Sequence, residues 1–481
     1  MKRIVTAAVL IGVIPCGVRL LAAQGPVRGL SLQAAQEPVR GARLQADPGP
    51  APGRHDDEQQ AAAGTLRLTL DEAIRRGLDA SHRIAEAVAR GEAADAAIGE
   101  RHAVTLPQLA AQGGYTRTNH VDAFGLVAPG GQLKVIYPDV PDNFRTRLDL
   151  QWPIYTGGRL DAFERAARIE ATASADDVAT ARADLTLEIT RAYWALVTST
   201  ELVRVVQESR ERVDAHVRDV RNQLAAGLVP PNDVLSAEAQ SSRQRMLAAQ
   251  ARSQREVSEA ELARLVGAPA ETPIEAAAAA MDAGSASGAA LDQLIATATA
   301  QRPERAGLVK RLAAAGEREA AATAGTKPTV AVVGGVDYAQ PNPRIFPRED
   351  AWHSSWDASI NVSWPLFDGG RTRSEVAGAN ANAHALRERL AEFDSIVAMD
   401  IRQRLSEVSS SRVAIEAATD AVRAAAEARR VVADRFAAGV ATSTDVLDAQ
   451  GVLLQAELDR TQAVAAARLA DARLARAVGS R

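Results

Sequence analysis

The side chains that most often carry catalysis are few and scattered in this chain. Its 481 residues include seven histidines and a single cysteine, Cys16. No histidine lies at a spacing from cysteines or carboxylates that is typical of a metal site, and the Gly-Gly dipeptides lack the context of a phosphate-binding loop. No nucleophile has an evident base. The sequence therefore predicts a protein that is not an enzyme and that binds no metal ion or cofactor.

Two carboxylates near the C-terminal end could instead act together. Asp445 and Asp448 are three residues apart at the predicted start of a helix, which places both on one face. The same stretch occurs 212 residues earlier, where Asp233 matches Asp445 but Ser236 stands in place of Asp448. A purely structural role is the alternative, because the helix dipole stabilises acidic side chains in a first turn. Asp448 has no counterpart and therefore discriminates better between the two roles.

These aspartates belong to a long internal duplication. Residues 144–267 recur as 356–479 at a fixed offset of 212, and the segment 152–159 (WPIYTGGR) reappears as 364–371 (WPLFDGGR). Upstream, around Pro107, the offset is 221. The nine-residue difference lies between these matched regions and indicates variable loops, because exposed loops tolerate insertions. A chain built twice from one unit predicts a quasi-symmetric architecture.

Apolar residues follow a coiled-coil spacing in a long, proline-free stretch of each repeat. Between residues 185 and 224, ten of twelve seam positions are apolar, and nine of twelve are apolar in the second copy. The helix predicted over 159–226 would be about 100 Å long. Turns at Gly227 and Gly439 follow the two long helices, because glycine readily takes the left-handed conformation that ends a helix. Three helices are predicted in each half, the others lying near 71–104, 232–266, 291–325 and 444–478.

Between the short and long helices the period changes from helical to alternating. Over 144–154, and again over 356–366, alternate residues form an apolar face and those between them a polar face. The runs 109–115 and 330–338 behave in the same way. Each strand is about ten residues long, the length that a tilted strand needs to cross a bilayer. Four lipid-facing strands are predicted; the alternative is a soluble sheet packed against helices.

The N-terminus has the pattern of an export signal. Two basic residues precede an apolar run, which predicts a signal peptide over 1–24. A buried N-terminal helix is the alternative, and Cys16 could be a lipidation site. Removal of the signal would leave a mature chain without cysteine, which suits the oxidising periplasm. Residues 25–64, rich in Pro, Gly, Gln and Ala, are predicted to be a disordered leader.

Charge and hydropathy narrow the functional classes. The formal net charge is −4 and basic residues form no run beyond short pairs. The sequence therefore lacks the clustered positive charge that indicates nucleic-acid binding. Outside the signal, no apolar stretch is long enough for a transmembrane helix, so only a closed barrel could cross a membrane. Four strands cannot close alone around a pore, which predicts an oligomer.

With these motifs the sequence resembles the TolC-like outer-membrane efflux family over about residues 66–479. Two pairs of segments carry the resemblance: the strand-to-helix junctions at Gly157-Gly158 and Gly369-Gly370, and the Ala-Gly turns at Gly227 and Gly439, each followed by Asp-Val-Leu. The resemblance implies an α+β membrane protein that forms a homotrimer. Each chain would give four strands to a 12-stranded outer-membrane β-barrel, continued across the periplasm by a long α-helical coiled-coil barrel.

The resemblance also implies a domain organisation and a function. One outer-membrane efflux repeat would span 65–267, an equatorial linker 268–290 and a second repeat 291–479. The trimer would sit among outer-membrane lipid in a Gram-negative bacterium and extend into the periplasm. It would be the passive exit duct of a tripartite efflux pump or a type I secretion system. Its partners would be a periplasmic adaptor, docked near Gly227 and Gly439, and an inner-membrane pump of the RND, ABC or a similar class.

Gate residues follow from the same resemblance. In the family, an acidic pair at the start of the second return helix rings the periplasmic entrance, and the matching residues are Asp445 and Asp448. Such a ring favours cations. The family also closes this entrance with an aspartate, an arginine and a tyrosine. Asp233 matches the aspartate, but Ala441 and Phe436 occupy the other two positions, so the closed pore would be held in another way.

A second function from another class is a soluble periplasmic coiled-coil protein, such as the adaptor itself. An adaptor would have one helical hairpin between β-rich halves, whereas this chain has two predicted hairpins and four strands of bilayer length. The sequence does not identify the transported substrate.

Overall fold

The computed structural model describes residues 65–127, 129–269, 271–277 and 290–479. The predicted signal peptide with Cys16, the predicted leader and most of the predicted linker over 268–290 lie outside the described residues. The helices and strands that follow are those of the described part of the chain.

Eight α-helices lie in four consecutive pairs that are separated by strands. In the first half they are α1 (Leu70–Ala80), α2 (His82–Ala103), α3 (Arg159–Ala225) and α4 (Pro231–Leu265). In the second half they are α5 (Leu291–Gln301), α6 (Pro303–Thr323), α7 (Arg371–Ala437) and α8 (Ser443–Val478). The long helix α3 and the return helices α4 and α8 confirm the predicted elements to within one residue at each end.

The short helices differ from the prediction of one helix per half. Each is broken once, at Ser81 and at Arg302, so each half holds four helices and not three. Ser81 is extended, and its side chain accepts a hydrogen bond from the Ile84 N–H, which starts α2. Arg302 is extended because it precedes Pro303, whose ring disfavours the helical conformation of the residue before it.

Four long strands form one antiparallel sheet, as the alternating sequence pattern predicts. They are β2 (Gln108–Arg117), β5 (Asp142–Tyr155), β7 (Thr329–Gln340) and β8 (His353–Ser363), in the spatial order β2-β5-β7-β8. Four short strands were not predicted: β1 (Leu66–Leu68), β3 (Phe124–Val127), β4 (Leu133–Tyr137) and β6 (Ile274–Ala276). Strands β3 and β4 form a hairpin inside the first variable loop, and β1 pairs with β6 in parallel.

The two faces of the long sheet differ as predicted. On the apolar face the side chains of Trp356, Ile360 and Val362 are 74%, 70% and 67% exposed, so the described part of the chain does not cover them. A soluble sheet would need a helix layer on this face to bury such side chains. In the described part of the chain no helix layer buries this face, as the prediction of lipid-facing strands requires and the alternative of a soluble sheet packed against helices does not.

The polar face is held by ion pairs that cross three strands. Arg147 on β5 bonds to Asp149 on its own strand, to Asp337 on β7 and to Asp357 on β8. Its guanidinium lies over Gly335, where an added Cβ would come within 2.5 Å of it. Asp337 is almost fully buried beneath this cluster. The network fixes the register of neighbouring strands on a face without an apolar core.

The long and return helices pack side by side in the order α4-α3-α8-α7. In α3, nine of the twelve predicted seam positions are buried and none is exposed, which confirms the seam. The main apolar core joins α3 to α1, α4 and the short β1–β6 pair through residues such as Ile189, Tyr193 and Leu262. A smaller core joins α7 to α5 and α8. The seam of α7 is mostly half-buried because α7 lies at the edge of the layer.

Gly77 on α1 provides a test of the main core. A Cβ at this position would lie 2.4 Å from Ile189 Cδ1 and 2.9 Å from the Leu265 carbonyl oxygen. We expect Gly77→Ala to destabilise the protein by about 1–3 kcal/mol through overpacking. The measurement is the denaturant midpoint followed by tryptophan fluorescence, because Trp194 packs against this core. Gly99→Ala on α2 is the control, since no atom lies within 4 Å of its added Cβ; an equal loss of stability in the control would contradict the packing account.

Candidate functional site

The predicted turns at Gly227 and Gly439 have the same geometry. Both glycines have positive φ, 75° and 74°. At the end of α3 the Leu228 N–H donates to the Gln223 carbonyl oxygen, and at the end of α7 the Val440 N–H donates to the Arg435 carbonyl oxygen, both at 2.9 Å. This pattern satisfies carbonyl groups that a helix end leaves unpaired. Both turns therefore reverse the chain in one way, as the duplicated sequence predicts.

The strand-to-helix junctions are duplicated just as closely. Gly157 and Gly158 have φ values of 67° and 86°, and Gly369 and Gly370 have 67° and 87°. Two successive left-handed residues turn each strand into its long helix, a conformation that other residues rarely adopt. The predicted junction glycines thus have a structural role that their backbone geometry requires.

Asp445 lies in a capping box at the start of α8. Its carboxylate accepts hydrogen bonds from the Thr442 N–H and from the Thr442 hydroxyl, both at 2.8 Å. In return, the Asp445 N–H donates to Thr442 Oγ1 at 3.2 Å. The N–H and hydroxyl of Thr442, with a smaller contribution from the charge of Arg435, hold the pKa of Asp445 below its ordinary value. Asp445 therefore has the structural role at the helix start that was the alternative to a gate role. Its carboxylate is ionised at neutral pH.

Asp448 and Asp233 have different surroundings. Asp448 is exposed one turn further along α8, where it has no capping role in that turn. Asp233 is half-buried in the first turn of α4, whose N-cap is Pro230 and not a hydrogen-bonding side chain. Within the described residues, no hydrogen bond or ion pair joins Asp233 to either aspartate of α8. The single chain therefore places Asp445 and Asp448 on one helix and leaves Asp233 on another.

A histidine that the sequence did not point to, His216, lies against the start of α8. His216 on α3 is 4% exposed, and its Nε2 lies 2.9 Å from Oγ of Ser443, the first residue of α8. Its ring meets the Phe436 ring of α7 edge-on, with 5.2 Å between centroids. Burial lowers the pKa of His216, although the carboxylates of Asp219 and Asp233 and the backbone of Ser443 oppose that shift. Phe436 is thus packed against His216.

Only weak sequence signals point to His216. It follows the seam position Val213 by three residues, and its equivalent in the second repeat is Ala428. A polar residue beside an apolar seam, present in one copy alone, is a departure from the repeat. Its contact with Ser443 joins residues 227 apart in sequence and cannot be read from spacing.

The arrangement offers charge and packing rather than reaction chemistry. Among the residues that the structure describes, no group of three or more His, Cys, Asp and Glu side chains is placed to hold a metal ion. In the same part of the chain, no helix is long and apolar enough to cross a membrane. At the end of the helices that carries the turns, α8 exposes two carboxylates. Close to them, a buried contact joins α3, α7 and α8.

The chain is a member of a family of channels. It belongs to the outer membrane efflux protein family, whose sequence pattern matches residues 73–268 and 294–480. Protein CyaE of Bordetella pertussis is similar, with 26% identity over 390 residues that cover 81% of this chain and 79% of the relative.

Solved structures share the fold. A membrane protein from Pseudomonas aeruginosa matches with a TM-score of 0.73 and 19% identity, over 86% of this chain and 91% of that one. The CmeC outer membrane channel of Campylobacter jejuni matches with a TM-score of 0.72 and 16% identity, over 85% of each chain. At these identities the likeness establishes the fold alone.

Family membership confirms the predicted function and location. The chain is an outer-membrane exit duct of a Gram-negative bacterium, and the family works with periplasmic adaptors and inner-membrane pumps. The alternative of a soluble adaptor is not favoured. The family is one of channels and not of enzymes.

Thr442→Ala tests the capping box at the start of α8. Without the hydroxyl, the Asp445 N–H loses its acceptor and the carboxylate loses a donor. We expect amide hydrogen exchange over 443–446 to become several-fold faster, as is usual when an N-cap is removed. Thr442→Ser, which keeps the hydroxyl, is the matched control, and unchanged exchange in Thr442→Ala would contradict the cap.

The same cap has a pH dependence. Because the pKa of Asp445 is lowered in the folded protein, the cap contributes fully above the ordinary aspartate pKa of about 4 and is lost as the pH falls below it. Protection of residues 443–446 should therefore decrease on acidification below about pH 4 in the native protein. In Thr442→Ala, the protection of these residues relative to intrinsic exchange should change less with pH; an equal change would contradict the cap's pH dependence.

Proposed function

We propose that three copies of this chain form the duct, because one copy leaves both edges of its sheet unpaired. Among the described residues, the sheet begins at β2 and ends at β8, and each of these strands pairs on one side only. Free strand edges expose N–H and C=O groups that cannot stay unpaired in a lipid environment. If β8 of each copy pairs with β2 of the next, three copies give twelve strands in a closed barrel.

The helices support the same assembly. Helices α4 and α7 are the two edges of the helical layer, and both carry large apolar side chains on exposed surface. These include Met246 and Val257 on α4 and Met399 and Val413 on α7, each more than half exposed. Packing of α7 against α4 of the next copy would bury such side chains and complete the half-buried seam of α7.

The apolar face of the sheet would then meet outer-membrane lipid. Aromatic rings lie at both ends of the strands, as membrane-interface girdles do. At the loop end, Tyr115 and Phe144 lie 5.0 Å apart and Tyr338 and Trp352 lie 4.9 Å apart, centroid to centroid. At the helix end, Trp152 and Trp364 are exposed.

The turns at Gly227 and Gly439 would form the periplasmic end, where Asp445 and Asp448 ring the entrance. Three copies would place six carboxylates in one narrow pore, an arrangement that favours cations. Beside the glycines, Leu228 and Val440 are 74% and 64% exposed. These aliphatic tips offer an apolar surface to the helical hairpin of an adaptor, which would link the duct to its pump.

The assembly predicts a membrane-bound trimer. We expect the mature protein to be recovered in the outer-membrane fraction, and its mass after detergent extraction to equal three chains. Recovery in the soluble periplasmic fraction would contradict the duct. A monomeric mass in mild detergent would contradict closure through the edges of β2 and β8.

The gate predicts a change in ion selectivity. In planar bilayers, Asp445→Ala combined with Asp448→Ala should raise conductance and lower the preference for cations several-fold, because the ring loses its charge. Asp448→Ala alone should retain the Asp445 capping box and still reduce selectivity. The control is Glu92→Ala, which removes an exposed carboxylate from α2, away from the turns. Unchanged selectivity in the double variant would contradict the ring.

A further inference from the structure

We propose that His216 is a positioning residue of the gate: it fastens the start of α8, and with it Asp445 and Asp448, to α3, and protonation of its imidazole releases this contact. The inference rests on the proposed gate. It is carried by the place of the histidine in the fold, where three helices meet behind the first turn of α8.

The contact between His216 and Ser443 is buried. His216 and Ser443 are 4% and 1% exposed, and Phe436 is half-buried against the imidazole. Ser443 is the first residue of α8, so it lies two residues before Asp445 and five before Asp448. Loss of the bond would leave a polar group unpaired in a buried site, which is costly. Movement of the α8 start away from α3 therefore has to break this contact.

The second repeat does not have an equivalent contact. The positions that match His216, Ser443 and Phe436 are Ala428, Pro231 and Leu224. None of these side chains can form the bond, and proline also lacks an N–H group. The histidine contact is therefore specific to the return helix that carries Asp448, and is not a remnant of the duplicated framework.

Four elements surround the imidazole, and they oppose or favour its charge in different ways. Phe436 of α7 and Ser443 of α8 are uncharged, although a hydrogen bond with the Ser443 backbone favours the protonated ring. Asp219 of α3 and Asp233 of α4 are the charged groups that act on it, and both favour the protonated ring. Burial disfavours it, and so does the positive end of the α8 dipole, since the ring lies at the N-terminus of that helix.

The direction of the pH effect follows from this balance. Because burial dominates, the pKa of His216 is lower in the fastened state than its ordinary value of about 6.5. The fastened state binds fewer protons than a released state with the ring in water. The contact is therefore fully stable above about pH 6.5 and weakens as the pH falls below that value. Asp445, with its lowered pKa, remains ionised over this range.

Conductance in planar bilayers tests the role. The native duct should be mostly closed at about pH 7.5 and open several-fold more often at about pH 5. His216→Gln keeps an amide that can bond to Ser443 but does not titrate, so it should stay closed at both values. Ser443→Ala should raise the open fraction at about pH 7.5, because the fastening bond is absent. His102→Gln, which changes an exposed histidine on α2, should respond to pH like the native protein.

A distance measurement keeps the test independent of conduction. Leu228→Cys and Val440→Cys place spin labels on the two exposed turns, and Cys16 lies within the predicted signal peptide. Acidification to about pH 5 should shift or broaden the distance distribution between the labels, and His216→Gln should abolish that change. A pH response that persists in His216→Gln, in either experiment, would overturn the inference.

The two proposals can fail separately. If the Asp445 and Asp448 double variant loses selectivity but the His216 and Ser443 variants behave like the native duct, the gate stands and the fastening role is wrong. If the double variant keeps its selectivity, the acidic ring is wrong, and the label distances still decide whether His216 holds α8.

Discussion

The hydrogen-bond ladder between β5 and β7 joins the two repeats, and much of the architecture depends on it. It runs from the pair Phe144 and Gln340 to the pair Tyr155 and Val330. The first repeat contributes β2 and β5 to the sheet and the second contributes β7 and β8. The ladder therefore joins the two strands that lie in the middle of the sheet, one from each repeat. The outer edges at β2 and β8 are left unpaired. In the proposed assembly these edge groups would lie in lipid, where they cannot stay without partners, so the ladder within one chain leaves the two edges through which further copies would pair.

The same division recurs at the level of helices. Helix α3 packs on α8 inside the chain, which leaves α4 and α7 at the outside. The seam of α3 is therefore buried while that of α7 is mostly half-buried. In the sheet and in the helical layer alike, the two repeats meet in the middle and each repeat leaves one element at an outer edge. This agreement between two kinds of secondary structure is the physical basis for the proposal that three copies of the chain form a ring.

Periodicity made most of the fold predictable from sequence. The seam of α3, the alternation along β5 and the glycines at 157, 158, 227, 369, 370 and 439 each express a local requirement of helix, strand or turn, and such requirements appear in the sequence at fixed spacing. The duplication strengthened every one of them. The break at Arg302 was also visible in principle, because a proline follows it.

Other features depend on contacts that no local pattern records. The pairing of β1 with β6 joins segments about two hundred residues apart, and the contact of His216 with Ser443 joins α3 to α8. At the candidate gate, the sequence identified Asp445 and Asp448 but did not distinguish their roles. The cap formed by Thr442 shows that Asp445 serves its own helix, which leaves Asp448 as the residue of the pair without a role in that capping box.

The mismatch between Ser443 and Pro231 has a geometric consequence. In a ring of six helical hairpins, seams within a chain would alternate with seams between chains, and only the former would have a histidine contact. Such a ring would not open by the same amount at all six seams. With alternate seams secured it would part at three places, so the aperture would widen as a triangle, and the largest circle that fits inside that triangle would limit the cross-section of whatever passes.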